Sequence, residues 1–343
     1  MARLQTVGCH SCGHQNPGWI AEHGEHLREV LRLSEELGDD ALTYAVRAQF
    51  VLTTVMRGDL HEAQRSAAQL LDRPPPDYRY GQRFTVGTSP LAAATHFLGR
   101  ALVEQGRLDE GETYLQRALR LGAEFGDQNA LLSGRSYLAQ LSYYRGDVHG
   151  ATDAARLAME SADSRNVRQF EQAREAVALV HLGRREWEEA ASAFEAGLAS
   201  CREHGVRLDV EAEQLAWLAE AHLGRGDPRT ALATVEEARE IGRSRGQQLG
   251  ELDAEIVRAR ALLRLGGPDA ADAAEAALAA AAALVERTGA GSRAPFLHLA
   301  RAELAAARGD PAARERELRE AHRLFTEMGA AIRADQVARE LGA

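Results

Sequence analysis

Two cysteines separated by two residues stand near the start of the chain, in the run Cys9-His10-Ser11-Cys12-Gly13-His14-Gln15-Asn16-Pro17-Gly18. Paired thiolates at this spacing suit a divalent metal held tetrahedrally by sulfur and nitrogen. The other reactive side chains do not converge. His181 and His222 each lie four residues before a turn, on a face that a helix buries. His96 and His298 have no evident partner, and adjacent Glu188 and Glu189 point to different sides of a helix. Cys201, beside Arg202, reads as packing. The sequence contains no lysine, so all 41 basic residues are arginine. That excludes a phosphate-binding GxxxxGK[ST] loop and a Schiff-base lysine together. No constellation of nucleophile, base and orienting acid emerges, and the chain is read as a non-enzyme.

The elements that must position these residues are helices. Apolar residues make up 45% of the 343, but aromatics only 5%, and isoleucine occurs four times (Ile20, Ile241, Ile256, Ile332). Alanine, leucine, glutamate and arginine dominate, all strong helix formers, whereas sheets need β-branched and aromatic residues. Helical stretches are interrupted at Gly58, Gly106, Gly146, Arg185, Gly226, Gly266 and Gly309, with spacings of 48, 40, 39, 41, 40 and 43. A beat of this length marks stacked supersecondary units. Glycine closes a helix in the left-handed region, and Asp or Pro just beyond it starts the next. So short a link makes the two helices antiparallel neighbours. Small residues recur five positions past the turn (Ala63, Gly111, Ala151, Ala190, Ala231), where the pair packs closely.

This pattern resembles the tetratricopeptide repeat (TPR). Leu98-Gly99, Gln105-Gly106, Leu108-Asp109-Glu110-Gly111 and Tyr114 to Leu119 carry the resemblance best, followed by Trp187-Glu188-Glu189-Ala190 with Phe194. It covers roughly residues 40–330. A period near 40 rather than the usual 34 implies longer helices. The expected fold is an all-α, right-handed α-solenoid of about seven TPR-like hairpins. Residues 1–17 form an amino-terminal tail and 18–343 the superhelical domain, with a leading helix at 18–37 and a capping helix at 331–341. Glu25 to Leu37 reads as the second helix of a unit lacking its first, as in a piece of a longer protein or an unusual amino-terminal cap.

In TPR units the first helices line the concave face. On that resemblance the candidate ligand-binding residues are His96, Arg100, Ser133, Gln140, Tyr143, Gln172, Glu175, Glu213, Glu220, Asp253 and Arg260, forming a polar trough that grows acidic towards its carboxy-terminal half. The stretch 72–90 breaks the beat: three prolines at 74–76 forbid helix. Its Tyr78, Tyr80 and Phe84 are candidate loop contacts, and long ordered loops are often functional.

The amino-terminal run resembles the first knuckle of small zinc ribbons in bacterial signalling proteins. There a second C-x2-C follows ten residues later; here that offset gives His23 and His26. The resemblance therefore implies a structural zinc site of Cys9, Cys12, His23 and His26, with no other cofactor. The long repeats are similar to the carboxy-terminal TPR regions of bacterial AAA-type ATPases fused to class III cyclases and of regulators related to the maltose activator. That similarity implies a scaffold or sensor for a protein or peptide in bacterial signalling. Two alternatives are a ligand-gated regulator holding a small molecule or signalling peptide in its groove, and an enzyme using the 72–90 loop. A net charge of −10 lacks the electrostatic footprint for nucleic acid or anionic lipid. The longest apolar run, Ala276 to Val285, falls short of the roughly 20 residues a span needs. The expected setting is the cytoplasm, with a homodimer left open.

Overall fold

The computed structural model describes residues 19–85 and 88–342. Among them are sixteen α-helices and no strand. A leading helix, α1 (Trp19–Glu36), precedes seven antiparallel pairs. These are α2 (Asp40–Arg57) with α3 (Leu60–Asp72), α4 (Pro90–Glu104) with α5 (Leu108–Phe125), and α6 (Gln128–Arg145) with α7 (Val148–Ser161). Then come α8 (Val167–Arg184) with α9 (Trp187–His204), α10 (Glu211–Gly224) with α11 (Pro228–Arg245), α12 (Gln248–Leu265) with α13 (Ala270–Thr288), and α14 (Ala294–Ala307) with α15 (Pro311–Glu327). Helix α16 (Ala331–Leu341) closes the row. Every turn expected from the glycine beat falls between the two helices of a pair. No helix among the described residues is long and apolar enough to cross a membrane.

Local chemistry sets the boundaries. Asp39, Asp127, Asp147, Asp227 and Asp310 each accept a hydrogen bond from the backbone three residues on, capping the helix that follows. Gly58 ends α2 at φ 82 and Gly146 ends α6 at φ 75, conformations that cost other residues energy. Within a pair the helices approach closely: a Cβ on Gly111 would lie 2.5 Å from Val103 Cγ2 and 2.9 Å from the Gly99 carbonyl. The first helices of neighbouring pairs pack on one another, α2 on α4, α4 on α6, α6 on α8, α8 on α10, α10 on α12 and α12 on α14, and form the inner layer.

The coil is tight enough to return onto itself with a regular offset. Helix α1 meets α11, α2 meets α12, α4 meets the short 3-10 turn Gly291–Arg293 ahead of α14, and α6 meets α16. The leading helix and the first three pairs therefore each touch the unit five places later. The contacts run through the turns: Gly58 faces Thr288 and Gln248, Gly106 faces Gly291 and Met328, and Gly146 faces Arg333. Gln248 Nε2 donates to the Arg57 carbonyl at 2.6 Å, 191 residues away. Two apolar clusters span the junction. One joins Val51, Val55 and Leu60 with Leu252, Ile256 and Leu284, and the other joins Leu115 and Leu141 with Leu318, Phe325 and Val337. Burial of such side chains, about 2 kcal/mol each, holds the two superhelical turns together.

Candidate functional site

The inner layer does carry the polar residues expected of it, but they do not line an open trough. Because the second superhelical turn stacks on the first, the lower axis of the coil is filled by a buried ionic network. Arg293, 1% exposed, sits at its centre. Its guanidinium pairs with Glu104 on α4, with Glu213 on α10 at 2.9 Å and with Asp253 on α12 at 3.2 Å. It also stands 5.3 Å over the Tyr144 ring. Gln140 Nε2 donates to Glu213 and to the Tyr144 hydroxyl, both at 3.2 Å. Tyr137 donates to Glu104, and Arg100 lies 5.1 Å over the Tyr137 ring. Glu175 accepts from Arg207 at 2.6 Å and from Gln214. His96 is buried edge-on against Phe97 and Tyr137. Gln172 donates to Ser133 at 3.4 Å, neighbour to neighbour. His96, Arg100, Gln140, Glu175 and Glu213 are thus partners of each other's elements rather than free faces, which corrects the expectation of a solvent-lined, acidic groove.

Burial and the crowding of carboxylates decide protonation here. Desolvation pushes Glu213 up to about 7, with neighbouring Glu175 adding to the rise and Arg100 opposing it. Asp253 is held well above the usual carboxylate range by burial and then by Glu213. His96 is driven down to about 3 by burial and by Arg100, so it is neutral and serves no general-base role near neutrality.

Above this plug the axis opens into a cavity of about 590 Å³. Tyr144, Asp253 and Arg293 are shared by plug and cavity. The wall runs through α6, α8, the start of α9, α10, α12, α14, α15 and α16, so it is the axis of the last five-unit turn, closed where α16 meets α6. Aromatic faces come from Tyr143, Trp187, Trp217 and Phe296. Between them stands a half-buried triad, Arg260 with Glu303 at 2.9 Å and with Glu220. Of the residues chosen from sequence, Tyr143, Glu220, Asp253 and Arg260 meet at this cavity. Arg185, Trp187, Phe296 and Arg333 also line it and were missed. Arg185 had a signal, since it is the one residue of the beat that is not glycine. Arg333 had none, because α16 reaches the wall across the superhelical turn.

The described residues of the 72–90 segment lie elsewhere and line no part of the cavity. Tyr78 stacks on Phe125 at 4.1 Å and donates to Asp127 at 2.8 Å, while Asp127 also accepts from the Ser89 backbone at 3.0 Å. Tyr80 meets Tyr44 edge-on, and Phe84 packs on the cluster of Leu27, Val30 and Leu42. Tyr78 thus holds its loop to the cap of α6, while Tyr80 and Phe84 pack on the sides of α1 and α2. Cys9 and Cys12 of the zinc reading lie outside the described residues, as does the side chain of His23, and His26 is on α1. Among the described residues no three metal-ligating side chains cluster. Cys201 is buried, and burial lifts its thiol to about 12.

Comparison with solved structures decides the fold type. NprR in complex with its cognate peptide NprX superposes with a TM-score of 0.62 at 15% identity, over 92% of this chain and 87% of that one. The fold is a tetratricopeptide-type α-solenoid. A Rap protein complexed with competence and sporulation factor matches at a TM-score of 0.53 and 14% identity, covering 94% of this solenoid and 96% of that chain. The apo form of RapI matches at 0.52 and 12%, over 83% and 99%. No family model and no curated protein matches the sequence.

Proposed function

We propose that this solenoid binds a short peptide in the cavity on the axis of its last turn and performs no chemistry on it. The observation that carries the reading is the cavity: about 590 Å³, walled by Tyr143, Trp187, Trp217 and Phe296, with the Arg260–Glu220–Glu303 triad among them. Aromatic faces beside fixed polar groups are what a ligand site combines, and the volume lies in the range such sites occupy, although this wall carries more charge than most, including Arg185, Arg264, Arg333 and Glu340. Rings supply contact area at low conformational cost, and the triad offers both donors and acceptors to a peptide backbone. Two solved solenoids with this fold are named for complexes with a peptide or a factor, which supports a peptide or protein partner. A sensor or scaffold role in bacterial cytoplasmic signalling is the setting this reading implies.

One observation favours a regulated version of the same function. The cavity is completed by α16, the element that closes the coil on α6. A ligand touching α8 and α16 together stabilises the closed coil by its differential affinity for that state.

The test uses Gly183, which lines the cavity from within α8. A Cβ there would find only ordinary contact, 3.7 Å from Tyr143 Cδ2, so a larger side chain projects into the space without disturbing the helix. Purified wild type incubated with a degenerate hexapeptide pool should carry peptides through gel filtration, and Gly183→Phe should not. Equal recovery by the two proteins, or none by either, removes the reading.

A further inference from the structure

Charge on the cavity wall is unevenly matched. Each acidic side chain there has a cation: Glu220 and Glu303 have Arg260, Asp253 has Arg293, and Glu340 has Arg314. The converse fails for two arginines. Arg185 and Arg333 form no ion pair among the described residues, although both line the cavity.

Arg333 has bonding capacity that no acidic side chain among the described residues meets. Its Nη2 donates to the Tyr143 carbonyl at 2.9 Å, and its guanidinium stands 5.3 Å from the Tyr143 ring and 5.6 Å from the Phe296 ring. Two aromatic faces fix the plane of the fork. Its Nε is buried and has no hydrogen-bond partner among the described residues. A desolvated guanidinium with an unmet N–H is costly unless an anion meets it. Burial, and then the like charge of Arg185, weakens its hold on the proton, the opposite of what a structural ion pair would do. Arg185 adds a separate observation. It ends α8 at φ 61, in the left-handed region where Gly58 and Gly146 end α2 and α6. A side chain kept at such a position points to a functional constraint.

We propose that the Arg333 fork, reinforced by Arg185, receives a carboxylate of the ligand, and that this anchors one end of the peptide in the cavity; the inference rests on the peptide-binding reading. Bidentate Arg–carboxylate pairing supplies both the charge and the geometry. The source is the peptide's own carboxy terminus or an acidic side chain, and three hexapeptide pools separate them. The first lacks Asp and Glu and ends in a free acid, the second is the same pool amidated, and the third is amidated but contains Asp and Glu.

Wild type should recover the first or the third pool at least tenfold over the second, the favoured pool naming the source. Arg333→Gln should abolish the preference, Arg333→Lys should restore only part of it because the fork is lost, and Arg185→Gly should lower it several-fold in a backbone relieved of strain. Small-angle scattering on Arg333→Gln checks that the coil stays closed. Equal recovery of all pools, or a preference that survives Arg333→Gln, overturns the proposal while leaving peptide binding intact. If no pool is recovered, the peptide reading fails, and an acetate titration followed by the fluorescence of Trp187 and Trp217 decides the anion site. A saturable response lost in Arg333→Gln supports it, and no response overturns it.

Discussion

Replacing Arg293 by methionine tests whether the axial plug is held by charge compensation. The guanidinium is 1% exposed and is the cation shared by Glu104, Glu213 and Asp253, from three helices in both superhelical turns. Methionine keeps much of the volume and deletes the charge. Breaking a buried pair by removing one partner costs about 3–5 kcal/mol, because the remaining charge is left without compensation. Here the carboxyls can escape part of that cost by protonating. In the wild type Glu213 is already lifted to about 7 from an ordinary 4.5. A carboxyl raised on folding gives stability that is complete below its unfolded pKa and lost as pH climbs through the folded one. For Glu213 that is about 3 kcal/mol between pH 4.5 and 7. Without Arg293 the folded pKa values of Glu213 and Asp253 rise further, so the loss extends to higher pH. Urea unfolding followed by circular dichroism should therefore show Arg293→Met destabilised by about 3–5 kcal/mol at pH 7.5 and by clearly less at pH 5.5. A deficit under about 1 kcal/mol at pH 7.5, or one that grows on acidification, would falsify the argument.

Other perturbations probe the coil and its residues separately. Gly291→Ala would place a Cβ 2.4 Å from the Gln105 carbonyl, between the two superhelical turns; it should cost about 2 kcal/mol and enlarge the radius of gyration measured by small-angle scattering. His96→Phe removes a group held neutral by burial and by Arg100. Stability from His96 is complete above pH 6.5 and lost as pH falls towards about 3, so the variant should exceed wild type by about 3 kcal/mol at pH 4 and match it near pH 7.5 in urea titrations. Arg185→Gly relieves a left-handed residue at φ 61 and should raise unfolding stability by about 1 kcal/mol, even as it weakens carboxylate capture. The Cys201 thiol, raised to about 12 by burial, should resist alkylation in the folded protein and react in urea, as peptide mapping would show.

The hairpins were legible because their signals are local. Gly58, Gly106 and Gly146 mark turns by a conformation that glycine alone adopts freely, and Asp39, Asp127 and Asp310 mark helix starts by bonds three residues long. The inner layer was legible for the same reason, since helical period alone puts Gln140, Glu213 and Asp253 on one side. The site was legible only in part. Tyr143, Glu220, Asp253 and Arg260 were found by counting back from the turns, whereas Arg333 approaches from a unit five places beyond Tyr143. Tyr78 looked like a ligand contact because its loop is long and aromatic, yet its hydroxyl serves the cap of α6.

By itself, then, the order of residues determined an all-helical chain of stacked pairs, through turn chemistry and close contacts such as Gly99 with Gly111 that act within about forty residues. Tertiary structure alone decided how far each pair rotates against the next. That rotation brings Gly58 onto Thr288, Gly106 onto Gly291 and Gly146 onto Arg333, so residues expected to face water pair with one another instead. Whether an inward charge becomes part of a plug or of a binding wall depends on what arrives from roughly two hundred residues away, and no local spacing encodes that.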